Sequence, residues 1–127
     1  MIILRNCHVL VVDDSAAIRS IIRKLLAQLG FDNVDEASDG AVALAKISEK
    51  NYGLVISDWN MHPMDGRALL KQVRANKKNE NLPFIIMTGE SAINRVVQAN
   101  HVGVSCFIKK PFTAEVLQAK IAQISAA

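Results

Sequence analysis

Long apolar runs are missing from this chain. None approaches the 18 or so residues that cross a membrane, and Met1-Ile-Ile-Leu4 is far too short for a signal peptide. Blocks of basic residues are missing too. No five Lys or Arg stand together, and Lys77-Lys78 falls in a polar stretch, so the net charge of +3 leaves no nucleic-acid footprint. Cysteine is scarce: Cys7 and Cys106 fall beside or within strand-like stretches and read as buried reduced thiols, not a disulfide framework. The chain has no linker-like or low-complexity tract, and no G-x-G-x-x-G or G-x-x-x-x-G-K-[ST] loop to cradle a phosphate. These absences argue against a membrane protein, a secreted disulfide scaffold and a nucleotide-loop protein. The expectation is a soluble cytoplasmic protein in which residues 1–127 form one domain around one core.

Apolar residues make up 50% of the chain, and they are patterned. Strand-like and helix-like segments alternate five times. The strand candidates are Cys7–Val12, Asn33–Ala37, Gly53–Ser57, Pro83–Met87 and Val104–Ile108, the second having only Val34 and Ala37 as apolar residues. Ile18, Ile21, Ile22, Leu25, Leu26 and Leu29 mark one face of a helix over 16–29, and Gly30 supplies its stop. Further helices are expected over 40–49, 66–75 and 92–100, and a fifth after Thr113 with Leu117, Ile121 and Ile124 as its stripe. Short loops between alternating strands and helices imply an α/β fold: a doubly wound, five-stranded parallel sheet covered on both faces by five helices.

Two of the apolar runs stop abruptly at acid. His8-Val-Leu-Val-Val12 ends in Asp13-Asp14, and Leu54-Val-Ile-Ser57 ends in Asp58. Strands of this kind are buried on both faces, and groups at their carboxyl ends meet in the crevice where open α/β sheets hold ligands. Three acids there repel by roughly 1 kcal/mol per pair at 4 Å in water, and by about 4 at an effective dielectric near 20. A cation, a lysine or a proton must compensate. The other strand ends contribute Thr88 and Lys109-Lys110, giving three carboxylates, a hydroxyl and an ammonium on one sheet edge. Oxygen-rich sites of this kind suit Mg²⁺ (or Mn²⁺), and the set matches phosphoryl transfer to a carboxylate. Asp13-Asp14-Ser15 also has the composition of a helix N-cap, as do Ser38-Asp39-Gly40 and Asp65-Gly66.

Asp13-Asp14, Asp58, Thr88-Gly89-Glu90 and Lys110-Pro111-Phe112 together resemble the receiver domain of bacterial two-component response regulators, over essentially the whole chain. Asp58-Trp-Asn-Met61, Met64-Asp-Gly66 and Lys110-Pro-Phe-Thr113 resemble especially the stand-alone chemotaxis members of that family. The resemblance implies a flavodoxin-like strand order 2-1-3-4-5 and a signalling phosphoacceptor in place of an enzyme with a substrate. Asp58 would accept a phosphoryl group from a histidine kinase or a histidine phosphotransfer protein. Asp14 and Asp58, the Asn60 backbone carbonyl and, through a water, Asp13 would hold Mg²⁺. Lys110, which directly precedes Pro111, would pair with the phosphate, and a cis peptide is admissible there. Thr88 would turn toward the phosphate with Phe107 following as the switch aromatic, while Asn60 and Glu90 would tune the phosphate's lifetime. The surface of the fourth helix, fifth strand and fifth helix would then bind a downstream protein from a monomer or weak dimer, with no role for nucleic acid or membrane.

One departure from the family stands beside the acceptor. His62 occupies a position usually held by proline, and Pro63 follows it, so the path of this loop is open at this stage. A role for His62 in catalysis or pH sensing is disfavoured against a solvated loop histidine, and His8 and His101 lack metal-ligand spacing. Trp59 reads as structural, and as the single tryptophan it should report on Asp58. Two alternatives stand: a haloacid-dehalogenase-type phosphatase, whose Asp-x-Asp element and cap are not seen here, and the excised receiver of a larger regulator. A flavodoxin-like cofactor binder is disfavoured by the missing phosphate loop.

Overall fold

Val9, Leu10, Val11 and Val12 are all fully buried, and they divide their side chains between two separate cores. That is what a strand covered on both faces requires. The computed structural model describes residues 3–89 and 105–126. In chain order these form β1 (Val9–Val12), α1 (Ala16–Gln28), β2 (Val34–Ala37), α2 (Gly40–Glu49), β3 (Leu54–Asp58), α3 (Gly66–Ala75), a 3-10 turn (Lys77–Asn79), β4 (Phe84–Thr88), β5 (Cys106–Lys109) and α4 (Ala114–Ala126). The sheet runs β2-β1-β3-β4-β5 with every pairing parallel, in the order expected. The helix expected over 92–100 lies outside the described residues, as do Glu90 and His101.

Alternation along the strands sorts the core. Leu10, Val12, Val55, Phe84 and Ile86 face α2 and α3, where Ala43, Ile47, Leu69, Leu70 and Val73 close one layer. Val9, Val11, Leu54, Ile56, Ile85 and Met87 face α1 and α4, meeting Ile22, Leu26, Leu117 and Ile121. The helix starts follow their side-chain caps: Ser15 accepts from the Ile18 N–H, Asp39 from Ala41 and Val42, and Asp65 from Ala68. Gly30 takes the left-handed φ of 91° that ends α1.

Three local readings shift. Ile21 points to solvent, 53% exposed, because the α1 stripe that meets the sheet is centred on Ile22 and Leu26 and is narrower than the apolar run in the sequence. β1 begins at Val9, so Cys7 stands in the preceding turn and is only half-buried, whereas Cys106 is buried in β5; both thiols are free. Burial pushes both thiols above the usual range. β3, β4 and β5 each run one residue further than the sequence suggests, which brings Asp58, Thr88 and Lys109 onto the strands themselves. The described residues contain no helix long and apolar enough to cross a membrane.

At the far edge of the sheet, β2 is tied down by charge. Asp35 accepts from Lys50 Nζ (2.9 Å) and from the Tyr52 hydroxyl (2.7 Å), and those two bonds hold its carboxyl below the ordinary carboxylate range. A carboxylate with a lowered folded pKa stabilises the fold above its unfolded pKa of about 3.9 and loses that contribution as pH falls through the lowered value. Because Lys50 and Asp35 are both partly exposed, Asp35→Ala is expected to cost no more than about 1 kcal/mol at pH 7. Urea unfolding should show the variant and the wild type converging as pH falls below the ordinary carboxylate range; a deficit that persists there would assign the loss to packing.

Candidate functional site

The parallel register carries the site. Val12 pairs with Ser57, Asp58 with Met87 and Thr88 with Lys109, so the ends of β1, β3, β4 and β5 step along the edge and stay within two residues of one another. One step further stand Asp13 after β1 and Lys110 after β5, and the Lys110 N–H donates to the Thr88 carbonyl at 2.7 Å. Lys110, not Lys109, reaches back over the edge. Its ammonium donates to Asp58 Oδ1 at 2.9 Å and to Asp13 Oδ2 at 3.1 Å, spanning carboxylates on two different strands.

Burial and charge pull these groups in different directions. Desolvation is the larger influence on Asp58 and raises its carboxyl above the usual range; the nearby Asp13 charge adds to this, while Lys110 and the Trp59 N–H (2.9 Å) partly oppose it. For Lys110, burial lowers the pKa, but the combined hydrogen bonds and charges of Asp58 and Asp13 outweigh it and leave it raised. The two acids favour the charged form of Lys110, while burial leaves the charge of Asp58 only partly compensated by it.

Asp13 is buried and fully engaged. Its N–H donates to the Ala37 carbonyl (3.1 Å), Oδ1 accepts from the Ser15 N–H (2.9 Å), Oδ2 from Lys110, and its carbonyl from Arg19 Nη1 (2.6 Å). Asp14 beside it is exposed. Ligand oxygens of Asp13, Asp14 and Asp58 lie within 4.8 Å of one another, the three acids that the sequence singled out. Three carboxylates against one ammonium leave the cluster net negative, and hard oxygen donors of this kind fit Mg²⁺. Asn60 is exposed on the loop after β3. Thr88 is buried, and with Phe107, Lys110 and Phe112 it lines an open depression of about 580 Å³. Phe107 is half-buried against the α2–α3 core.

The loop after Asp58 is clamped at both ends. The Gly66 N–H donates to the Trp59 carbonyl (2.9 Å), and the Gly40 N–H at the start of α2 donates to the Met64 carbonyl (3.0 Å). Trp59 and Met61 turn into the core, while His62 is exposed and both His62-Pro63 and Lys110-Pro111 are cis. Sequence reading overlooked Arg19, Glu36 and the tight seat of Gly66. The first two appear as a basic residue on an amphipathic helix and an acid on a weak strand, and only the Val11–Glu36 register brings them together.

Residues 9–122 match the model of the response regulator receiver domain. The chain is 41% identical over 116 residues to the chemotaxis protein CheY of Pseudomonas aeruginosa, covering 91% of this chain and 94% of that protein. It is 39% identical over 120 residues to the chemotaxis protein CheY-3 of Vibrio cholerae, covering 94% and 92%. Among solved structures, the Vibrio cholerae chemotaxis protein CheY4 superposes with a TM-score of 0.87 at 32% identity, covering 94% of this chain and 98% of that one.

Proposed function

The chain belongs to the response regulator receiver domain family, and on that premise we propose that it is a receiver that accepts a phosphoryl group on Asp58. The convergence of Asp58, Asp13, Asp14 and Lys110, drawn from three strand ends, carries this reading. An Asp58 carboxylate oxygen attacks the phosphorus of a phosphohistidine on a histidine kinase or phosphotransfer protein. The P–N bond breaks, its electron pair returns to the imidazole nitrogen, and an aspartyl phosphate forms. Desolvation leaves the attacking carboxylate weakly hydrated, and the Lys110 ammonium stands where it can pair with a phosphoryl oxygen. Asp13, Asp14, Asp58 and the Asn60 carbonyl are the groups that would hold Mg²⁺ or Mn²⁺. Such an ion neutralises phosphoryl charge when bound.

Output follows as a population shift. Thr88 turns its hydroxyl toward the phosphate, Phe107 moves into the space behind it, and the face built on β5 and α4 changes its partner affinity. Asn60 and Glu90 govern how readily water reaches the phosphate, so self-dephosphorylation is part of the same reading. The chemotaxis proteins among its relatives make a chemotaxis pathway the favoured setting.

The test is incubation with acetyl phosphate and Mg²⁺, read by intact mass and Trp59 fluorescence. One labile phosphoryl adduct is expected, and Trp59 emission should change because its residue directly follows the reacting carboxylate and bonds it through the backbone N–H. Chelation of the metal should reduce labelling to background. An unlabelled wild type, under conditions that label another receiver, would sink the proposal. Sustained phosphate release from many small esters would point to a phosphatase instead.

A further inference from the structure

Glu36 of β2 holds two arginines from α1, and only one of them reaches the site. Arg19 Nε donates to Glu36 Oε1 at 2.9 Å, and its Nη1 donates to the Asp13 carbonyl at 2.6 Å. Arg23 bonds the other oxygen, Oε2, at 3.1 Å from both Nε and Nη2, and it is far more exposed, 44% against 17% for Arg19. The planar guanidinium can serve two acceptors at fixed angles, something a lysine ammonium on a flexible stem does poorly. Glu36 is itself fixed by its pairing with Val11, two residues before Asp13.

We propose that Arg19 is a positioning residue for the divalent-cation site. Buttressed by Glu36, it sets the turn that aims the Asp13 and Asp14 carboxylates at Asp58. This inference rests on the cation site proposed above. The hydrogen bond lands on the backbone carbonyl between the two acids, so it fixes the peptide plane from which Asp14 departs. Ser15 constrains the same turn through Asp13 Oδ1, but its bond acts on a side chain that Lys110 also holds. Partners that orient metal ligands typically contribute 10–100-fold to affinity.

Two opposing effects must be separated. Removing a cation next to an acidic cluster strengthens attraction for Mg²⁺, whereas releasing the turn weakens binding. Arg23→Ala removes the same charge and the same Glu36 partner without touching Asp13, so it isolates the first effect. Arg19→Lys keeps the charge and loses the bidentate geometry.

Mg²⁺ titrations followed by calorimetry and by Trp59 fluorescence, with urea unfolding of each variant, provide the test. Arg19→Ala and Arg19→Lys are expected to weaken Mg²⁺ binding by about tenfold, while Arg23→Ala binds as tightly as the wild type or slightly tighter. Arg19→Ala should lose more stability than Arg23→Ala, since it gives up the bond to the Asp13 carbonyl as well as one ion pair with Glu36. Equal Mg²⁺ affinity in Arg19→Ala and Arg23→Ala would overturn the proposal and reduce Arg19 to a fold-stabilising ion pair. Full recovery in Arg19→Lys would also overturn it, by showing that charge alone matters. A wild type that binds no Mg²⁺ would remove the cation site itself, a result distinct from either.

Discussion

Asp58→Asn will take up no phosphoryl group from acetyl phosphate and will unfold at the same urea concentration as the wild type or a higher one. The first half follows from chemistry: an amide has no carboxylate oxygen to attack phosphorus. The second follows from electrostatics. Asp58 has a raised folded pKa, so its contribution is most favourable below its unfolded pKa and is lost as pH rises through the folded value. At pH 7 the charged carboxylate is therefore a cost to the fold. The amide oxygen can still accept from the Trp59 N–H and Lys110, and Lys110 keeps its bond to Asp13. Intact mass and urea denaturation at pH 7 check both halves. Equal labelling of Asp58→Asn would move the acceptor elsewhere, and a loss of stability would mean that the pairing with Lys110 outweighs the desolvation of Asp58.

The second large effect comes from one missing methyl group. A Cβ built on Gly66 would stand 2.2 Å from the Asp58 carbonyl oxygen and 3.1 Å from the Trp59 Cα. Both are backbone atoms, so no side-chain rotation can relieve the clash; either α3 retreats or the strand end shifts. Gly66→Ala is expected to cost about 1–3 kcal/mol, the usual range for overpacking in a tight interior. Retreat of α3 would also break the Gly66–Trp59 hydrogen bond that closes the acceptor loop. Phosphorylation by acetyl phosphate should slow in the folded fraction, with Trp59 emission altered before any donor is added. A Gly66→Ala protein with wild-type stability and rate would mean that α3 moves freely, contrary to the packing of Leu69, Leu70 and Val73 into the core.

Much of this architecture was legible because the signals are local. Each of the apolar runs that became β1, β3 and β4 is followed by, or ends in, a polar residue that could not be buried without a partner, which identified Asp13, Asp58 and Thr88. Caps at Ser15, Asp39 and Asp65 rest on bonds to residues two or three positions away, so composition suffices to place them. Arg19 stayed hidden because its two acceptors belong to β2 and to the turn after β1, and no local rule says which helix arginine will meet the acid of β2. Gly66 looked like an ordinary N-terminal residue of a helix. Its constraint comes from a carbonyl eight residues earlier in the chain, a distance that only the folded loop specifies. Ile21 misled for a different reason: helical periodicity gives the direction of an apolar stripe but not how wide a stripe the sheet will accept.

The bond from Lys110 to Asp13 joins groups 97 residues apart and on the last and first of the site-bearing strand ends. During synthesis, Asp13 and Asp58 leave the ribosome long before their ammonium exists, so an unfinished chain carries the anions without the counter-charge. Contacts of such long sequence separation are slow to form, since loop-closure entropy must be met first. Competence to accept a phosphate should therefore be the last property a refolding chain regains, after its helices and first strands. Stopped-flow refolding sampled with acetyl phosphate would show it, with labelling lagging behind the recovery of helical signal. A receiver built in this way cannot report a signal until its final strand has docked.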